Sequence, residues 1–237
     1  MMVIFMKRKL ALVSFCNNPI HTLSPLLCVP IIDGQIAENE YSPIYLGFDG
    51  LINHATGLTH SSEMVFAAFH SGGMFYIGAL SKEDLSPVFY QPLPEVKDIH
   101  SILALNETLY IVSTGTDEVI AYTITSDQLV NPRVIWRASQ FHRDTHHINS
   151  IASLDGDILI SAFGPKSGEL WSSASDGYIY NISKNARVKG GIFHPHSLSV
   201  HNRQIYYCES HEGTFCSLNE GPLFSISGYT RGVDWFS

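Results

Sequence analysis

A short phrase recurs five times along this chain and restricts what the chain can fold into. It reads HATGL at 54–58, DIHSI at 98–102, HINSI at 147–151, HPHSL at 194–198 and YTRGV at 229–233. Each copy sets polar, His-rich residues at alternating positions, followed by Ser or Gly and an aliphatic residue. A short apolar run follows each of the first four copies. Repeats at this spacing belong to solenoids and propellers, in which each unit buries its apolar face only against the next.

The fourth copy gives the template of one unit. HSLSVH at 196–201 alternates as a first strand, and Asn202-Arg203 makes a turn. QIYYCE at 204–209 is a second strand, residues 214–218 a third and residues 222–226 a fourth. Four short strands divided by turn residues make one propeller blade. The second unit repeats the pattern with SILAL, TLYIVS, EVIAYTI and RVIWRA. The third does so with SIASL, DILISAF, YIYNIS and VKGGIF, and carries an insertion at 165–176 that contains Glu169 and Trp171. The first uses GLTHS, MVFAAF, MFYIGAL and PVFYQ.

At the C-terminus, YTRGVDWFS supplies only a first strand, whereas the N-terminal runs ALVSFC, PLLCVPII and SPIYLG match second, third and fourth strands. Joined, they complete one more blade and remove the last sheet edge. The expected fold is therefore an all-β, five-bladed β-propeller with this closure, one domain over residues 1–237. Six blades are expected if the sequence is a truncated one.

Composition agrees with a packed sheet protein. Apolar residues make up 45% of the 237 and charged residues only 15%, with a net charge of −8. The one basic run is at 7–9, so nucleic acid is not an expected partner. No stretch approaches a membrane span. Residues 6–16 look superficially like a lipoprotein signal, but the apolar run at 10–15 is short and Phe15 stands where a small residue is wanted. A cytoplasmic protein is expected, with an exported lipoprotein as the alternative. Cys16, Cys28, Cys208 and Cys216 lack paired CxxC spacing. They read as buried small residues, with a Cys208–Cys216 pair across a hairpin as the alternative.

The stretch HPHSLSVHNRQIYYCES resembles the repeats of the streptogramin-lyase, NHL and YncE-like propellers. HINSI, HPHSL and GYTRGVDWF together resemble an uncharacterised bacterial propeller family known as a domain of unknown function, from about residue 97 onward. The resemblance implies the fold and no particular activity. Streptogramin lyases pair a propeller with metal-dependent elimination, which is an analogy of fold.

Aligning the copies on their aliphatic residues stacks two sets of polar residues. One holds Thr56, His100, Asn149, His196 and Arg231. The other, two residues earlier, holds His54, Asp98, His147, His194 and Tyr229. Residues two apart share a side of a strand. The ends of second strands add Asn17, Asn18, His70, Asp117, Glu209 and His211 to the same face, and Asp144 and His146 precede the third copy.

His54, Asp98, His147 and His194 are residue types that ligate a divalent metal. Thr56, Asn149, Tyr229, Arg231 and Trp171 are candidates for holding a small anionic ligand, with Arg231 matched to a carboxylate or phosphate. His100, His196 and Arg231 are the catalytic candidates for a metal-assisted hydrolysis or elimination. The other reading is a non-catalytic scaffold whose loops bind a protein or glycan. In favour of a ligand, a repeat kept only for packing would hold one residue type, whereas these positions vary. No GxSxG elbow, phosphate loop or aligned carboxylate pair is present. His60, His142 and His201 read as solvated, and Trp136 and Trp235 as packing between blades.

Overall fold

The computed structural model describes residues 8–15, 25–37, 39–233 and 235. Cys16, Asn17 and Asn18 lie outside these. The described residues are all-β and form five four-stranded antiparallel sheets, the blades of a five-bladed β-propeller class of fold. They divide between two compact units, Met1–Pro94 and Glu95–Phe236.

In the N-terminal unit, β1 (Arg8–Ser14) pairs with β2 (Leu26–Ile32), and β2 also carries two short strands, β3 (Gln35–Ile36) and β4 (Ser42–Pro43). The second sheet runs in order through β5 (His54–His60), β6 (Met64–Ser71), β7 (Met74–Ser81) and β8 (Pro87–Pro92). Leu26, Leu46, Ala55, Ala67, Phe69 and Leu80 form the core between these two sheets.

The C-terminal unit has three blades. The first is β9 (Ile99–Leu105), β10 (Thr108–Ser113), β11 (Glu118–Ile124) and β12 (Leu129–Arg137). The second is β13 (Ile148–Leu154), β14 (Asp157–Ala162), β15 (Gly177–Asn181) and β16 (Ala186–Ile192). The third is β17 (Pro195–His201), β18 (Gln204–Glu209), β19 (Thr214–Ser217) and β20 (Gly221–Ser225). Alternation along the strands sends Val112, Ile151 and Ile160 into the core between the first and second blades, and Leu159, Leu198 and Tyr207 into the next. The hairpin turns fit their residues. Asp155-Gly156 and Asn202-Arg203 each have both residues left-handed, as a tight turn between twisted strands requires.

Three devices repeat at the start of each inner strand of this unit. The residue immediately before it is left-handed: Asp98 (φ 55°), His147 (φ 53°) and His194 (φ 52°). Asp and His are among the few side chains that tolerate that conformation, so part of the recurrence seen in the sequence encodes backbone geometry. The carbonyl of that residue accepts from the far end of the second strand: Asp98 from Thr114 N (3.0 Å), His147 from Phe163 N (3.3 Å) and His194 from Ser210 N (3.2 Å). A β-bulge then interrupts the pairing, at His100 in β9, at Asn149 in β13 and between His196 and Ser199 in β17, where Ser197 is itself left-handed. A bulge re-aims side chains at the edge of a site. The same shift occurs at Thr56 in β5 of the N-terminal unit.

The hydroxyls at the second-strand ends reach forward. Thr114 Oγ1 donates to the Ile148 carbonyl (2.5 Å) and Ser210 Oγ to that of Thr230 (2.6 Å). Thr230 therefore stands to the third blade as Ile148 stands to the first, and the fifth copy keeps its place in the repeat. It is not a strand, however. Residues 226–233 have no strand pairing, in contrast to the closing strand expected there. Gly228 (φ 115°) and Gly232 (φ 76°) bracket the segment with conformations that end an extended run. It is held along β17 by Gly232 N donating to Ser197 Oγ (2.7 Å) and Trp235 Nε1 to Ser199 Oγ (3.2 Å).

Cys28, Cys208 and Cys216 are buried free thiols, so the Cys208–Cys216 pair is not formed. His201 stacks on Trp235, with ring centroids 4.4 Å apart, and is not simply solvated. Trp136 packs on Tyr180 of the next blade, as expected. No helix among the described residues is long and apolar enough to cross a membrane.

Thr114 is fully buried. Replacing it by Val keeps the shape and strands the Ile148 carbonyl, so Thr114→Val is expected to lower unfolding free energy by about 1–3 kcal/mol, measured by urea denaturation.

Candidate functional site

Phe163 is the hub of a ring cluster in the C-terminal unit. It occupies the place that Thr114 and Ser210 hold in the neighbouring blades, so an aromatic ring replaces the forward-reaching hydroxyl. His194 stacks on it with centroids 4.2 Å apart and planes 8° from parallel. His147 lies 4.5 Å from it and His196 5.0 Å, the latter edge-on. His100 meets His147 edge-on at 4.9 Å, and Trp171 lies 4.7 Å from His147. Tyr229 closes the far side, 5.4 Å from His196, with the Arg231 guanidinium 5.2 Å from its ring. The structure thus brings together His100, His147, His194, His196, Trp171, Tyr229 and Arg231.

Hydrogen-bond partners assign the proton on three of these imidazoles. His194 Nε2 faces the Trp171 carbonyl (2.9 Å), which can only accept, so Nε2 is protonated and Nδ1 accepts from the Tyr229 hydroxyl (3.1 Å). Both nitrogens of His194 are thereby committed, and neither is left for the metal-ligand role considered from the sequence. His147 Nδ1 donates to Asp144 Oδ2 (3.0 Å), which puts the lone pair of the neutral ring on Nε2. His196 Nδ1 donates to Ser210 Oγ (2.8 Å) and toward the His194 carbonyl (3.1 Å). Ser210 spends its own proton on Thr230, so it can only accept from the imidazole. The His196 lone pair is therefore on Nε2, which is buried and has no hydrogen-bond partner among the described residues.

Burial favours the neutral form of His100, His194 and His196. Burial pushes His196 down to about 2, and the nearby Arg231 charge acts in the same direction. His100 is also lowered, first by burial, against an opposing pull from Asp98, and Arg231 bears on it too. Burial lowers His194. Arg231 itself is exposed, where an incoming anion can reach it.

Other residues position the cluster. Asp117, left-handed and fully buried, accepts from Thr145 N (2.7 Å), Thr145 Oγ1 (2.6 Å) and His146 N (2.9 Å), fixing the chain just ahead of His147. Asn149 Oδ1 accepts from Ser161 Oγ (2.7 Å), a bond between the first two strands of its own blade. The insertion that carries Trp171 closes at Gly164 (φ 79°), where a Cβ would collide with the Asp176 carbonyl. Asp98 is half exposed, 3.6 Å from His100 Nδ1. His54 and Thr56 lie in the N-terminal unit, with His54 opposite His70 across the β5–β6 pair. Among the described residues no three His, Cys, Asp or Glu side chains gather as a metal cluster. Sequence reasoning missed Phe163 and Ser210. Comparing second-strand ends, where Thr, Phe and Ser alternate, would have singled out the Phe.

A cavity of about 440 Å³ beside the C-terminal segment shares Tyr229 and Arg231 with the cluster but none of its imidazoles. Its remaining wall is chiefly apolar, from Phe215, Phe224, Ile226 and Trp235.

Residues 93–237 match the profile of a family described as Domain of unknown function (DUF4915). No curated protein matches the chain. Among solved structures it is similar to the periplasmic gluconolactonase of Pseudomonas aeruginosa, at 12% identity and TM-score 0.61, over 94% of this chain and 70% of that one. It is also similar to a luciferin-regenerating enzyme, at 13% identity and TM-score 0.53, over 72% of this chain and 60% of that one. The β-propeller domain of Cps50 (Swd1) from Myceliophteria thermophila is similar at 11% identity and TM-score 0.50, over 91% and 67%. At these identities the likeness is one of fold.

Because His196 is neutral when folded and takes a proton near pH 6.5 when unfolded, the unfolded state binds more protons below that pH. Stability is therefore expected to fall as pH drops from about 6.5, by about 2 kcal/mol at pH 5 from this residue alone. Denaturation curves at pH 7, 6 and 5 check this, and His196→Phe is expected to flatten the slope.

Proposed function

We propose, for a chain that belongs to the DUF4915 family, that the imidazole cluster of its C-terminal unit binds a small anionic molecule and moves a proton on it. The observation that carries this reading is the pair of lone-pair nitrogens, Nε2 of His147 and Nε2 of His196, in an aromatic-walled cluster beside one exposed guanidinium. Arg231 is the anion anchor, since its fork matches a carboxylate or phosphate. His147 is the base. Asp144 holds its tautomer and stabilises the imidazolium that forms when it takes a proton, the arrangement that general acid–base chemistry uses. Removing a proton beside a carbonyl begins an elimination, and removing one from water begins a hydrolysis. The same base serves either. Phe163 and Trp171 exclude water from one side, and Tyr229 with His194 sets the other.

The divalent-metal form of this reading rests on one feature. His147 and His100 both turn Nδ1 toward an aspartate, as metal-binding imidazoles do. The scaffold reading, with a protein or glycan as partner, rests on Leu170, 72% exposed next to Trp171 on the insertion.

The test is calorimetric titration of the purified protein with acetate and with inorganic phosphate, followed in parallel by tryptophan fluorescence, beside elemental analysis. Saturable binding that weakens about tenfold or more in Arg231→Gln is expected, since a charge-assisted bidentate contact is lost. Equal affinity in Arg231→Gln, or no saturable binding of either anion, overturns the reading and leaves the scaffold. A stoichiometric transition metal that is lost in a folded His147→Ala variant adds the metal to the site.

A further inference from the structure

We propose that the ligand of this site is a hydroxycarboxylate, with its carboxylate on Arg231 and a hydroxyl donating to Nε2 of His196. The inference rests on the anion-binding reading above and adds the second functional group. His196 is 4% exposed, and its Nδ1 proton is fixed by two partners that can only accept. Its Nε2 is thus an acceptor with no proton of its own, buried and unpaired among the described residues. Such an atom is costly to leave unpaired, and a bare carboxylate, which also only accepts, cannot satisfy it. The ligand must bring a donor.

Two donors commonly accompany a carboxylate in small metabolites, a hydroxyl and an ammonium group. An ammonium group is disfavoured because the Arg231 charge already bears on this ring. A hydroxyl carries no charge and fits. The anion is better matched as a carboxylate than as a doubly charged phosphate. Arg231 bears on His100 and His196, while the aspartates Asp98 and Asp144 stand behind His100 and His147 and repel a second negative charge. The edge-on rings of Phe163 and Tyr229, which flank His196, offer apolar surface to the carbon between the two groups. A hydroxyl on His196 also places the ligand's oxygen-bearing carbon in the same cluster as the His147 base, so that base has a C–H or O–H to act on.

The experiment compares ligands matched in size: propanoate, 2-hydroxypropanoate, 3-hydroxypropanoate and alanine, titrated by calorimetry into the full chain. At least one hydroxy acid is expected to bind about tenfold or more tighter than propanoate, the gain of one hydrogen bond to a buried acceptor. His196→Phe is expected to erase that difference, so that propanoate and the hydroxy acids bind alike. Where His196→Phe does not fold, the 15N resonance of His196 Nε2 in the parent protein decides, since accepting a hydrogen bond shifts it. Propanoate binding as tightly as both hydroxy acids, or an Nε2 resonance that stays put at saturation, overturns the hydroxycarboxylate and leaves anion binding intact. Alanine binding tighter than both hydroxy acids replaces the hydroxyl by an amine and also overturns it. Failure of every carboxylate to bind overturns the anion reading itself, and this one with it.

Discussion

Buried hydroxyl groups are among the bonds that join adjacent blades of the C-terminal unit. Thr114 donates to the backbone of β13, Ser150 accepts from Leu198 N of β17 at 2.8 Å, and Ser210 donates to the C-terminal segment. Each hydroxyl is buried, so the bond is directional and must be made. Apolar packing between blades tolerates sliding, because it is non-directional. The hydroxyls do not, and they set the rotation of one blade against the next to within hydrogen-bond tolerance. The positions of His147, His196 and Arg231 follow from that, since each sits within two residues of a backbone group or hydroxyl in this seam.

Burial then decides the chemistry. An imidazole in water shares its proton between two nitrogens and titrates near neutral pH. In this cluster the proton on three of the rings is assigned by carbonyl, carboxylate and serine partners, and burial holds His194 and His196 neutral. Rings that the sequence presents as alike become different groups. His194 is a strut with both nitrogens occupied, His196 is an acceptor, and His147, with a carboxylate behind it, is the base in the proposed chemistry.

The architecture was legible because two independent codes agreed along the chain. Strand alternation and turn residues placed TLYIVS, EVIAYTI and QIYYCE at the bounds the structure gives for β10, β11 and β18. The fifth copy was read correctly as a repeat and incorrectly as a strand, because Gly228 and Gly232 break the extension while leaving the register. The site was only partly legible. Alignment found His147, His196, Tyr229 and Arg231, but which nitrogen carries a proton depends on partners far apart in sequence, such as Trp171 for His194 and Thr230 acting through Ser210. Alternation also could not reveal that β-bulges shift the pairing at these very residues.

The left-handed position ahead of each inner strand has a consequence for how such a chain can change. Its backbone is met by Asp at 98 and by His at 147 and 194, and the carbonyl bond to the next strand is the same in all three. The position behaves as a socket. It accepts an acid or an imidazole with no change of fold, because the conformational demand is satisfied by either side chain. Copies of one repeat can therefore trade chemical groups at constant geometry. A blade duplicated for its packing arrives with a place already made for a charge, a proton carrier or a hydrogen-bond acceptor, and selection on chemistry can proceed there without first being screened for folding.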